Sequence, residues 1–334
     1  MELIKKILSL LIITIFFVSC EKDNEDLIST TFYYPVDDYI INGATFNNAN
    51  FTPSAIAVSN NNLYICNKTS IEIFDLLTKR KKGSIKKYKK NNTEIQLSSL
   101  TSIAIHNNRI YVGSQESRLF IFDQNSFEGI NMLGNGQWWQ TFVHVFGVAV
   151  NDEYIFVKEK NNSVKVFKTP EVNTESSWNP TPFAKLDLKS GGTENYSMTV
   201  QDGNLVIAGN SSKSYLYYNL NHITANASRS IENPLEPRQT AFDNTKPTAI
   251  SFSKEWAATG EIENNKNYLR VYPTNQFMFL KYNNPIISST NIIDSSAFGY
   301  IGSTAIFEDS ILILDTTNKN IRVLKIKKAA ITEQ

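Results

Sequence analysis

Residues 103–112 read Ile-Ala-Ile-His-Asn-Asn-Arg-Ile-Tyr-Val. Two short apolar runs flank a polar turn centred on Asn107-Asn108, the pattern of two strands joined by a tight hairpin. The phrase returns five more times without gaps. Ile56-Ala57-Val58 leads to Leu63-Tyr64-Ile65, and Val148-Ala149-Val150 leads to Ile155-Phe156-Val157. Met198-Thr199-Val200 precedes Leu205-Val206-Ile207, and Ile250-Ser251-Phe252 precedes Trp256-Ala257-Ala258. Thr304-Ala305-Ile306 precedes Ile311-Leu312-Ile313. The first runs end at 58, 105, 150, 200, 252 and 306, so the steps are 47, 45, 50, 52 and 54 residues.

Each unit then carries a third β-rich run, at 71–75, 119–123, 164–168, 215–219, 269–273 and 321–325. No helix-period stretch follows residue 20, and the chain is expected to be all-β. A unit of roughly 45–50 residues with three or four strands is the size of a propeller blade. One small twisted sheet cannot cover its own faces. Blades stacked radially cover each other, and a closed ring leaves no end sheet exposed. The last unit stops soon after its third run. The strand-like stretch 30–42 is unassigned, so it is expected to supply the missing outer strand and close a six-bladed ring.

One unit carries a further likeness. Gly134-Asn135-Gly136-Gln137-Trp138, then Phe146-Gly147-Val148-Ala149-Val150, Asp152, Tyr154-Ile155-Phe156-Val157 and Val164-Lys165-Val166-Phe167 resemble an NHL repeat. Phe146 stands where that family has Pro, and Lys158-Glu159 where it has Ala-Asp. The other units share only the apolar skeleton. The resemblance implies a six-bladed, NHL-like β-propeller and little about chemistry, since such folds serve binding and catalysis alike.

The chain has 334 residues, 41 % of them hydrophobic, enough for a sizeable core. Its 33 basic and 32 acidic side chains give a net charge of +1, without the basic excess that a nucleic-acid surface needs. Two cysteines exclude a disulfide framework and a CxxC zinc site, and three scattered histidines form no HExxH. The 38 asparagines fit a turn-rich protein.

The leader MELIKKILSLLIITIFFVSC has Lys5-Lys6 and then an apolar run of about 12 residues, too short to span a bilayer. It is a secretory signal. Val18-Ser19-Cys20 resembles a bacterial lipobox, with Phe17 where the pattern prefers Leu. The resemblance implies lipidation of Cys20 and anchoring in the outer membrane. Glu21-Lys22-Asp23-Asn24-Glu25-Asp26 is similar to the surface-export signal of Bacteroidetes lipoproteins, which implies exposure at the cell surface; the alternative is the periplasmic face. The expected organisation is a signal peptide at 1–19, an acidic tether at 20–29 and a propeller at 30–334.

In a propeller the loops leading into the innermost strands gather at one mouth of the central channel. Those loops hold His144, Glu194, Tyr196, Lys246 and Tyr300, which are candidate ligand-binding residues together with the adjacent aromatic pair Trp138-Trp139. Glu194, Asn195, Asp243, Asn244 and Asp294 are hard oxygen donors from three units and suit calcium, although no DxDxDG loop is present. Asn and Asp are also favoured in such turns for backbone reasons alone. No catalytic constellation stands out. Two functions remain: a binding module with no cofactor, whose partner is a glycan, a host protein or an outer-membrane β-barrel, and a calcium-dependent hydrolase or lyase acting at the mouth. Residues 79–90, with eight cations and no acid, read either as a lysine-protected edge strand or as a patch for an anionic partner.

Overall fold

A computed structural model describes residues 29–137, 141–160, 163–174, 179–188, 197–208, 214–226, 238–241, 245–277, 287–288 and 298–332. Strand β1 (Ser29–Ile41) comes first. Blade 1 is β2 (Pro53–Ser59), β3 (Asn62–Asn67), β4 (Ser70–Asp75) and β5 (Arg80–Ile85). A separate hairpin, β6 (Lys87–Lys90) and β7 (Thr93–Gln96), follows. Blade 2 is β8 (Leu100–His106), β9 (Arg109–Ser114), β10 (Arg118–Asp123) and β11 (Gly129–Leu133). Blade 3 is β12 (Val145–Val150), β13 (Tyr154–Glu159), β14 (Ser163–Lys168) and β15 (Ala184–Asp187). Blade 4 is β16 (Ser197–Gln201), β17 (Asn204–Ala208), β18 (Ser214–Asn219) and β19 (Arg238–Ala241). Blade 5 is β20 (Thr245–Phe252), β21 (Trp256–Glu263), β22 (Lys266–Pro273) and β23 (Ile287–Ser288). Blade 6 is β24 (Ile301–Phe307), β25 (Ser310–Asp315), β26 (Asn320–Thr332) and, outermost, β1. The propeller proper is Tyr33–Lys327; residues 1–32 and 328–334 fall in a second unit.

All six repeat phrases begin on innermost strands, and the N-terminal strand completes the sixth sheet as expected. Hydrogen bonding of β1 to β26 closes the ring. The chain is nearly all β, as expected, with a few short helical turns besides. Short helices occupy Thr169–Thr174, Leu220–Asn226 and Thr274–Phe277, each directly after the third strand of blades 3, 4 and 5. With four to seven residues they complete too few turns to impose a 3.6-residue period on the sequence.

The core is divided among six seams. Leu63, Ile65 and Phe74 of blade 1 pack with Leu312, Leu314 and Val323 of blade 6. Their strand neighbours Tyr64, Cys66 and Ile73 pack the other way, against Ile110, Val112 and Phe120 of blade 2. Comparable clusters fill the remaining seams. Both faces of a blade are therefore apolar, and the second and third strands read as continuous apolar runs instead of alternating ones. Cys66 is fully buried, and burial pushes its thiol pKa up, so it behaves as a small apolar side chain.

Blades come close where a side chain is missing. At Gly260 a Cβ would lie 2.6 Å from Ile301 Cγ2 of blade 6 and 2.7 Å from Thr248 Oγ1. Gly83, on the outer strand of blade 1, has no such neighbour within 4 Å. Gly260→Val is expected to destabilise the propeller by about 1–3 kcal/mol through overpacking. Gly83→Ala should leave the urea midpoint unchanged or raise it slightly. Equal midpoints for the two variants in equilibrium denaturation would contradict the close seam.

Candidate functional site

The innermost strands converge on an axial cavity of about 330 Å³. Six small side chains, one per blade, form part of its wall: Ala57, Ala104, Ala149, Thr199, Ser251 and Ala305. They are the middle residues of the repeated phrase, and small size there lets six strands approach one axis. None of the described residues that line it is ionisable. The cavity therefore offers hydroxyls and methyls, and no proton donor or acceptor that titrates near neutrality.

Several of those hydroxyls are already bonded across seams. Near its start, each inner strand of blades 1, 2, 3, 5 and 6 shifts register by one residue, a β-bulge at 54, 101, 146, 248 and 302. In blades 1 and 2 the bulged residue bonds to the next blade. Ser54 Oγ donates to the Leu100 carbonyl at 2.7 Å, and Thr101 Oγ1 donates to the Val145 carbonyl at 2.7 Å. Ser197 Oγ donates to the Ile250 carbonyl and accepts from the Ile250 amide. Ser251 Oγ donates to Thr304 Oγ1 at 3.0 Å, and the Ile56 amide donates to Ser303 Oγ.

The loops leading into the inner strands are held by a second recurring device. The ninth residue after each phrase's third position is polar in five of the six blades: Asn67, Ser114, Glu159, Glu261 and Asp315. All five are buried. Three accept from a loop amide. Thr52 N–H donates to Asn67 Oδ1 at 2.6 Å, Val143 N–H to Glu159 Oε1 at 2.9 Å, and Gly299 N–H to Asp315 Oδ2 at 2.7 Å. Ser114 instead donates to the Ser98 carbonyl. Glu261 accepts from Tyr215 of blade 4 and pairs with Arg270 at 2.6 Å. Burial and then the Glu261 carboxylate push the Tyr215 hydroxyl pKa well up, so it stays a donor. Buried carboxylates need such partners. Glu159 has Ser163 and Lys165, and Asp315 has the amide and side chain of Asn318.

Three of the candidate binding residues are described, and they stand on three different blades. His144, before β12, has φ +54°, and its Nδ1 is in hydrogen-bond contact with the Gln115 carbonyl of blade 2. Lys246 is exposed on β20, and Tyr300 precedes β24 with its amide bonded to Thr317 Oγ1. Trp138, Trp139, Glu194, Asn195, Tyr196, Asp243, Asn244 and Asp294 lie outside the described residues, as does Cys20. Among the described residues no group of three His, Cys, Asp or Glu could hold a metal ion. The glycines of the Gly134-Asn135-Gly136 loop have positive φ, and a Cβ on Gly134 would meet the Ser117 carbonyl at 2.2 Å. They are needed by the backbone and form no phosphate cradle.

At the opposite end, turns leaving the inner strands carry Asp152, Glu153, Asp202, Glu255, Glu308 and Asp309. His106 Nε2 meets Asp152 Oδ1 at 2.9 Å and Asn107 donates to the same oxygen, linking blades 2 and 3. Those bonds hold the Asp152 carboxyl below its usual range. Sequence reasoning placed the mouth loops but missed the buried polar residues beneath them. Their signal was available: a polar residue at a fixed offset, closing an otherwise apolar strand.

No protein-family model and no curated protein matches the sequence. Among solved structures, the chain is similar to the β-propeller domain of Cps50 (Swd1) from Myceliophteria thermophila. The TM-score is 0.54 at 8 % identity, over 88 % of this chain and 100 % of that one. That likeness concerns fold alone. The computationally designed Ika8 protein aligns with a TM-score of 0.44 and 12 % identity, over 83 % of this chain and 96 % of its own.

Asp315→Ala removes the acceptor of the Gly299 amide and is expected to cost about 1–3 kcal/mol. Amide exchange at Gly299 should accelerate, and Asp315→Asn should recover part of both effects. Unchanged exchange at Gly299 in the alanine variant would refute the latch. A second expectation concerns Lys158, fully buried on β13, whose pKa burial lowers to about 8 against the raising influence of Glu159. Above that value the unfolded chain binds more protons than the folded one, so this lysine makes stability rise with pH between about 8 and 10. Lys158→Met should flatten that rise in denaturation curves across the same range. A wild-type curve that already falls from pH about 8 would count against it.

Proposed function

We propose that the protein is a binding module: a rigid six-bladed disc, anchored by lipid at Cys20 to the outer membrane and displayed at the cell surface, that holds a glycan, a host protein or a membrane β-barrel partner. The observation that carries the binding reading is the axial cavity, whose described wall residues include no titratable group while their hydroxyls lace the blades together. A site of that composition supports scaffolding better than acid–base chemistry. Recognition then falls to the mouth, through His144 and Tyr300 in its loops and Lys246 near the start of β20, with Trp138, Trp139, Glu194 and Tyr196 as further contributors. The NHL-like unit around 134–167 supports an interaction role, since that architecture presents variable loops on a fixed ring.

The membrane address rests on the Val18-Ser19-Cys20 motif and the acidic stretch behind it. Two acyl chains on one cysteine would hold the protein stably on a bilayer. The calcium alternative, through Glu194, Asn195, Asp243, Asn244 and Asp294, draws its support from donor chemistry alone.

Labelled palmitate should be incorporated by cells expressing the chain and lost in Cys20→Ala. Cross-linking of intact cells followed by pull-down should recover a stoichiometric partner, or glycan capture should occur in its place. Absence of label in the wild-type chain would remove the anchor, and calcium-dependent hydrolysis by the purified protein would replace the binding reading.

A further inference from the structure

The described residues include four large hydrophobic side chains that are strongly exposed: Tyr34, Val36, Ile40 and Leu77. All four lie in one sector of the outer circumference. Tyr34, Val36 and Ile40 share one face of β1, and Leu77, 61 % exposed, sits in the turn between β4 and β5. The cationic segment 79–90 continues around the circumference from there: β5 is the outer strand of blade 1, and β6 lies at the next seam, its Tyr88 packed on Phe120 and Phe122 of blade 2. Lys79 joins the two parts directly, with Nζ 2.9 Å from Asp38 Oδ1 and 4.2 Å above the Tyr39 ring.

The charge is concentrated there. Eight of the chain's 33 cations fall in these twelve residues with no acid among them, which leaves 25 cations against 32 anions elsewhere. Lys79, Lys81 and Lys87 are paired with Asp38, Glu72 and Glu94. Asp37 of β1 is taken by Arg322. Arg80, Lys82, Lys86 and Lys89 are exposed and form no contact ion pair among the described residues, although Lys82 donates to Asn62 Oδ1 and acts on Asp75, and Lys89 acts on Glu94. Seven of the eight cations are lysines, which act as mobile point charges and lack the planar fork that reads a shaped carboxylate. Protection of an edge strand needs only one or two of them. Cations beside exposed aliphatic and aromatic side chains are the composition of a surface that lies in a membrane interface.

We propose that the circumference formed by β1, the β4–β5 turn, β5 and β6 docks edge-on against a bilayer of anionic phospholipid. The lysines meet headgroup phosphates, and Leu77 and Ile40 enter the acyl boundary. This contact goes beyond the lipid anchor and does not depend on it.

The test uses the full chain carrying Cys20→Ser, which cannot take lipid. It should sediment with mixed phosphatidylglycerol–phosphatidylcholine vesicles, fail to sediment with phosphatidylcholine alone, and be released by added salt. Replacing Arg80, Lys82, Lys86 and Lys89 by Gln should weaken binding at least about tenfold. Leu77→Ser alone should weaken it less. Unchanged thermal unfolding of these variants shows that the disc is intact. Equal binding to both vesicle types, or undiminished binding by the quadruple variant, overturns the proposal. Binding to soluble poly-glutamate with no binding to vesicles assigns the edge to an acidic polypeptide and overturns it as well. Because the tested chain has no acyl group, failure here leaves the palmitate result standing.

Discussion

Six strands that meet at an axis cannot hydrogen-bond to each other as a sheet, because each already belongs to its own blade. The carbonyls at their starts still need donors once the seams close over them. Bulges at the starts of β2 and β8 answer that need: they turn Ser54 and Thr101 sideways so that their hydroxyls reach Leu100 and Val145 in the following blade. The small residues Ala57, Ala104, Ala149 and Ala305 provide the room. These hydroxyl bridges add direction to the apolar seam contacts, which resist separation but set no angle between neighbours.

The same arrangement decides where chemistry can and cannot reside. Hydroxyls engaged in bridging are poor nucleophiles without a base, and the described residues of the axial wall include none. The polar side chains with reach are carried by the loops above. Those loops are steadied from below by Asn67, Glu159 and Asp315, each buried and each accepting an amide from the segment it supports. A rigid ring with individually latched loops allows the loop sequences to diverge while their anchoring stays the same.

The architecture was legible because burial on two faces leaves a strong trace: the phrase at 103–112 repeats at a near-constant step, and each copy lands on an inner strand. Closure by residues 30–42 was legible from a shortage, since the last unit lacked an outer strand. The short helices after Lys168, Asn219 and Pro273 were not, because fewer than two turns leave no period. The bridges were hidden for another reason. A serine or threonine at the start of an apolar run reads as turn composition until the bulge shows which way its hydroxyl points. The latches were hidden within strands read for hydrophobicity, where Glu159 and Glu261 look like strand ends. Lys79–Lys90 was legible as charge, but its apolar neighbours on β1 come from a remote part of the chain and only the fold brings them alongside.

The pairing of β1 with β26 has a consequence for how the molecule is made. Blades 1 to 5 are each built from contiguous residues, whereas blade 6 joins segments separated by almost the entire polypeptide. Such a clasp has the longest loop-closure requirement in the protein and forms only after the last strand has been synthesised. Until then β26 presents an unpaired border to any other chain nearby, so the interval between emergence of the final residues and capture of the first strand is when this protein is most exposed to intermolecular misassembly.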